Sequence, residues 1–307
     1  DGSVGEIANL ILNYFTENIE KTLEDEMRNS IEPLLGDFFN SISYGTEIAM
    51  SSPLSGTLAI SADLAYATVV EGYGRFGMQT QARPSSKGAT IPEEAKGSLK
   101  SGHVTEWFSD SSSGFGLAFK TDFMNQIMWA TWYGGGLDIA NVESSMDLGD
   151  GIAINFSTGL PPILMLSEDP DWDGTLGFGD IYVEAEFELG EGVNVAVSLY
   201  LSGIVNFDLD FDAQQNQLSL VPSETANIWI EVVDISSPDL QADLSASLQE
   251  IFSSVFPELL TPILSSIPLP EFDVGGLAGL PESEIWKLTN GAVEKTEGQI
   301  RFTGALQ

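Results

Sequence analysis

The chain has 307 residues, enough for one large or two ordinary domains, and 43% of them are hydrophobic, so a substantial core can be filled. Its 46 acidic residues against 11 basic ones give a formal net charge of -35. Such a surface repels nucleic-acid phosphates and anionic headgroups, leaving apolar, neutral, zwitterionic or cationic partners and divalent cations. Cysteine is absent, which excludes disulfides, thiolate-bound metals and thiol nucleophiles. The one histidine, His103, stands in a polar stretch with nothing like a nucleophile elbow beside it. No apolar stretch reaches the roughly 20 residues that a membrane-spanning helix needs. The abrupt opening at Asp1-Gly2-Ser3 reads as a mature or trimmed product.

Residues 4–43 carry Ile7, Leu10, Ile11 and Tyr14, then Ile19, Leu23, Met27, Ile31, Leu34, Leu35, Phe38 and Ile42, mostly at gaps of three and four, which predicts a long amphipathic helix kinked or divided at Pro33. At ~1.5 Å per residue it would extend about 60 Å. Alternation then predicts strands over 44–82, followed by a Pro-, Ser- and Gly-rich linker over 83–114. Thr121 is placed to cap a second helix, whose apolar face is Phe123, Met124, Ile127, Met128 and Trp132 and whose end is Gly134-Gly135-Gly136. Strands are predicted over 180–189, 193–212, 217–221 and 227–234, forming a meandering antiparallel sheet. A third helical segment spans about 237–267, with a wide stripe including Leu248, Ile251, Phe252, Val255, Phe256, Leu260, Ile263 and Leu264 interrupted by Pro257 and Pro262. A final strand is predicted over 299–306. Ile31-Glu32-Pro33-Leu34-Leu35 and Phe256-Pro257-Glu258-Leu259-Leu260 echo each other, a trace of internal duplication.

Three stretches, in this order, resemble the family of bactericidal/permeability-increasing, lipopolysaccharide-binding and cholesteryl ester transfer proteins within the tubular lipid-binding superfamily. Residues 119–137 resemble the opening helix of that family's second domain, with Thr121-Asp122 and Asn125 ahead of apolar residues and a Gly-Leu end at Gly136-Leu137. Leu160-Pro161-Pro162-Ile163-Leu164 resembles its Pro-Pro lead into a strand, and the stretch from Ile263 to Pro270 resembles its helix exit into a Pro-Leu-Pro turn. The resemblance implies an α+β fold in which a long amphipathic helix is wrapped in a highly curved antiparallel sheet around an apolar tunnel. It also implies two domains: a partial first one over 1–114 and a complete second one over 115–307. The missing part of the first would be supplied by an upstream region or a partner chain. The family's disulfide cannot form here, and its basic tip has no counterpart, which argues against lipopolysaccharide as ligand.

On this reading the tunnel is lined by Phe123, Ile127, Met128, Trp132, Phe252, Phe256, Leu260, Ile263 and Leu264, since methionine and aromatic side chains adapt to irregular apolar ligands. For each residue taken singly, ordinary core packing is the competing explanation. A second motif is independent of the resemblance. Asp169, Asp171, Asp173, Thr175 and Asp180 occupy positions 1, 3, 5, 7 and 12 of a calcium loop with Gly174 at the turn. The flanks read as strands and not as EF-hand helices, and the last ligand is Asp in place of Glu. The expected activity is non-enzymatic binding or transfer of a phospholipid, fatty acid or sterol outside the cytoplasm, secreted or periplasmic and bacterial, with transient membrane contact. The alternatives are a calcium-dependent surface or adhesion module and, last, a hydrolase using Glu184, Glu186 and Glu188. These three, like Asp208, Asp210 and Asp212, read more simply as solvated strand faces.

Overall fold

A computed structural model describes residues 43–49, 56–70, 73–93, 95, 97–102, 115–138, 152–167, 169–189, 193–212, 217–236, 248–250, 252–253, 256–257, 267–268, 272–273, 285–286, 288–296 and 298–306. The first predicted helix, His103, Leu260, Ile263 and Leu264 lie outside them. The chain separates into two compact units. One takes in Asp1–Ser43, Asp63–Gln79 and Asp273–Glu284, and its described part is mainly the distal length of a hairpin. The other takes in Tyr44–Ala62, Thr80–Phe272 and Ile285–Gln307.

Strands dominate the described residues. β1 (Ser43–Ala49), β2 (Thr57–Val70) and β3 (Tyr73–Pro84) form a three-stranded sheet in that order. β4 (Phe115–Lys120) runs directly into helix α1 (Thr121–Tyr133). The main sheet is built from β5 (Ile152–Thr158), β6 (Ile163–Leu166), β7 (Gly174–Leu189), β8 (Val193–Asp212), β9 (Gln217–Ile235) and β10 (Ile267–Pro268). Its order is β10-β9-β8-β7-β5, and β6 also pairs with β7. β11 (Phe272–Asp273) pairs with β12 (Ile285–Trp286), and β13 (Leu288–Thr296) pairs with β14 (Gln299–Leu306), which pairs in turn with β4.

The long strands exist because apolar residues recur every second position. Ile181, Val183 and Ala185 on β7 and Val197, Leu199 and Leu201 on β8 are all buried, while Glu184, Glu186 and Tyr200 between them are exposed. Each fully buried Leu or Val on that face contributes about 1.5–3 kcal/mol relative to exposure. Against the buried face lie α1, residues 248–250, 252–253 and 256–257, which are helical, and Phe302 of β14. The helix α1 stops at a glycine-dependent cap. Gly135 adopts φ +74, its N–H donates to Trp132 O, and Gly136 N–H donates to Thr131 O. At the other end Thr121 is the first helical residue and Lys120 holds the cap position without a side-chain bond, one residue earlier than predicted.

The expected α+β architecture, a long helix wrapped in a highly curved sheet, is overturned. The described helices are short and the sheets are not strongly curled. The dimensions explain why. The 13 residues of α1 extend about 20 Å, whereas the 20 residues of β8 extend about 66 Å. A helix of that length covers a patch of the sheet and cannot serve as an axis for it. The predicted helix over 237–267 is also overturned at its end, where Ile267 and Pro268 pair with Leu218 and Gln217.

Candidate functional site

The helix-to-sheet interface gathers most of the predicted lipid contacts. Ile127 and Met128 are buried in the main core, as are Phe252 and Phe256. Phe252 meets Phe156 edge-on at 6.4 Å between ring centroids, and Phe256 meets Phe178 edge-on at 5.1 Å. Phe123 is half-buried at the rim and stacks on Phe119 at 5.9 Å. Trp132 sits apart, packed with Ile91 and Leu137 in a small second cluster, and its Nε1 donates to Thr158 O at 2.8 Å. The sequence did not signal the fastening that holds α1 in place. Asn125, 3% exposed, donates from Nδ2 to Leu164 O at 3.0 Å and accepts at Oδ1 from Leu164 N–H at 2.7 Å. Its amide thus pairs with β6 as another strand would.

Asp122 in the first turn of α1 accepts from the Ser101 backbone N–H at 2.6 Å and from the Ser101 hydroxyl at 2.7 Å. Partial burial opposes its charge, but the two Ser101 bonds and the nearby Lys120 and Lys100 outweigh that and hold its carboxyl below the ordinary value. A depressed folded pKa stabilises fully above the unfolded value near pH ~4, and the contribution disappears as pH falls through the folded pKa. Asp122→Asn should therefore melt below wild type at about pH 7 and converge with it toward about pH 2. Parallel melting curves across that range would remove Asp122 as the cause.

The aspartate run forms the tight connection of the β6–β7 hairpin. Asp171 N–H donates to Asp169 Oδ1 at 2.9 Å, Ser167 N–H to Asp173 O at 3.0 Å, and Asp173 Oδ2 accepts from Leu209 N–H at 2.7 Å. A cation does reach this turn, but it is a side chain. Lys295 of β13 places Nζ 3.1 Å from Asp173 Oδ1 and donates to the carbonyl oxygens of Asp169 and Trp172. The remaining predicted ligands are elsewhere. Thr175 lies within β7 opposite Met165, and Asp180 is seven positions along from Asp173, roughly 20 Å of extended chain away. The donor set therefore does not fit a twelve-residue calcium loop. Gly174 has its own reason to be glycine, since a Cβ there would lie 2.4 Å from the Phe207 ring and 2.6 Å from Met165 O.

Replacing Lys295 by Met should cost roughly 1–3 kcal/mol, because Asp173 and two carbonyls lose a charged donor in a partly buried setting. Millimolar calcium should leave the wild-type melting temperature unchanged. A clear rise with calcium would return the ion to this turn.

The face of the main sheet away from α1 carries a groove of about 710 Å³. Strand register builds it in two rows. Ser157, Tyr182, Tyr200 and Glu231 are successive cross-strand partners on β5, β7, β8 and β9. Ser202 faces Trp229 in the next row, and Asp180 completes that row. Asp180 lies in a bulge between Phe178 and Ile181 and adopts φ 50. Its carbonyl accepts from Gly159 N–H at 2.8 Å and its N–H donates to Ser202 Oγ at 3.3 Å. Tyr182 and Tyr200 lie 5.3 Å apart with planes inclined at 53°, making an open corner. Tyr200 is 43% exposed and Trp229 56% exposed.

Among the described residues no helix is long and apolar enough to cross a membrane, which says nothing of spanning by strands. No protein-family model matches the sequence, and no curated protein matches it. A solved structure described as lipopolysaccharide binding protein is similar at 14% identity and a TM-score of 0.26, over 97% of this chain and 66% of that one. The chain thus spans just under two thirds of that protein's length.

Proposed function

We propose that this chain is a non-enzymatic binding protein for an apolar lipid, working outside the cytoplasm and meeting membranes transiently. The observation that supports it is the composition of the interface between the helical residues and the sheet. Met124 and Met128 of α1 share the core there with Phe156, Phe178, Phe252 and Phe256, whose rings pair edge-on as Phe156–Phe252 and Phe178–Phe256. Side chains of this kind repack around an irregular apolar molecule at little cost, and ligand sites are lined mainly by such residues. The half-buried pair Phe119 and Phe123 gives this interface an edge toward solvent. Two of the stretches that carry the sequence resemblance also meet here, through Asn125 and Leu164.

Phe256→Trp tests the reading. The larger ring crowds Phe178, 5.1 Å away between centroids, and should oppose the repacking that takes up a ligand. Uptake of a fluorescent fatty acid is expected to fall by about tenfold, or ~1.4 kcal/mol, while the fold persists by circular dichroism. Unchanged uptake in a folded variant would remove this interface as the lipid site.

A further inference from the structure

We propose that the groove on the opposite sheet face binds a quaternary ammonium group, held over the rings of Tyr200 and Trp229 and balanced by Asp180 and Glu231. Three independent features converge on that chemistry. The first is shape: register pairs Tyr182 with Tyr200 on adjacent strands, 5.3 Å apart, and sets Trp229 on the third strand one row further along, diagonal to Tyr200 and opposite Ser202. The Tyr182–Tyr200 corner and Trp229 surround a space that a trimethylammonium head fits. The second is charge. The lining holds two carboxylates and no lysine or arginine, on a chain whose formal net charge is -35. An anionic ligand meets only repulsion there, whereas a cation within about 6 Å of a ring face is attracted by the ring quadrupole as well as by the carboxylates.

The third feature is the bulge. A regular strand would place residue 180 in line with its neighbours, but the extra residue and the left-handed backbone turn Asp180 toward the groove beside Ser202. A weakly hydrated cation suits the site better than a compact metal ion or a primary ammonium group. Its methyl groups take apolar contact from the rings and require no hydrogen-bond acceptors. This site shares no residue with the proposed lipid interface, so either can stand without the other.

Two sources present this group: a free choline-like solute and the choline headgroup of a membrane lipid. Calorimetric titration of the full chain with choline chloride should show saturable binding. The neutral isostere 3,3-dimethyl-1-butanol should bind at least about tenfold more weakly. Trp229→Ala and Glu231→Gln alter exposed positions, so both variants should keep the wild-type melting temperature, and each should weaken choline binding by about tenfold. Sedimentation with phosphatidylcholine vesicles but not phosphatidylglycerol vesicles, lost in both variants, would assign the source as a membrane headgroup. Binding of free choline without vesicle capture would assign it as a solute. Absence of saturable choline binding, equal binding of the neutral isostere, or full affinity in both variants would overturn the proposal.

Discussion

Replacing Asn125 with leucine should destabilise the protein by about 2–5 kcal/mol, because two buried backbone groups lose their partners at once. Leucine is close to asparagine in size, so the packing of α1 would be nearly kept. The Leu164 N–H and C=O, however, face into the core at a residue with 0% exposure and are satisfied by the Asn125 amide. Each buried group left unpaired costs about 1–3 kcal/mol. For a unit of this size the melting temperature should drop by roughly 5–15 °C. Asn125→Asp should also be costly, since it keeps an acceptor for the N–H but offers the carbonyl no donor and buries a charge. A loss below about 1 kcal/mol in Asn125→Leu would mean that Leu164 finds other partners.

Phe302→Ala is expected to cost about 3–5 kcal/mol. The ring is 0% exposed and stands between Phe119 at 5.8 Å and Phe211 at 5.6 Å, edge-on to both. It therefore joins the β13-β14-β4 sheet to the main sheet. Its removal sacrifices apolar burial and two ring contacts, and a rigid sheet pair closes a cavity of that size poorly. Urea unfolding should show a lower midpoint with an unchanged slope. Phe302→Leu should lose distinctly less. Equal losses in the two variants would mean that restored aliphatic bulk recovers nothing and that the cost lies in the two ring contacts.

What the sequence showed depended on how local the determining forces were. The strands at 193–212 and 299–306 were legible end to end because alternation is a property of the segment alone. The pair predicted over 217–221 and 227–234 is one strand, Gln217–Ile235, in which Pro222 sits opposite Phe207 at a register shift. Proline is tolerated at such an irregularity, and the sequence gives no sign of one. The Gly-rich end of α1 was legible for the same local reason as the strands, through Gly135 and its positive φ.

The candidate sites depended on distant pairings. Lys295 meets Asp173 from 122 residues away, so the aspartate spacing alone suggested an external cation. Tyr182, Tyr200 and Trp229 each look like an ordinary strand aromatic until register pairs the two tyrosines and sets Trp229 in the adjoining row. The wrapped helix was what the family resemblance implied, and the wide apolar stripe over 251–264 agreed with it. A wide stripe is equally satisfied by packing on a broad sheet, and the described helical residues Leu248, Phe252 and Phe256 are buried in the main core in that way.

The central claim, that this chain carries an apolar lipid, is tested most directly by native mass spectrometry of the gently purified protein with extraction and identification of anything bound. A phospholipid, fatty acid or sterol at near one copy per chain, lost in Phe256→Trp, is the predicted result. A bare protein that also takes up no fatty acid when offered it would contradict the claim.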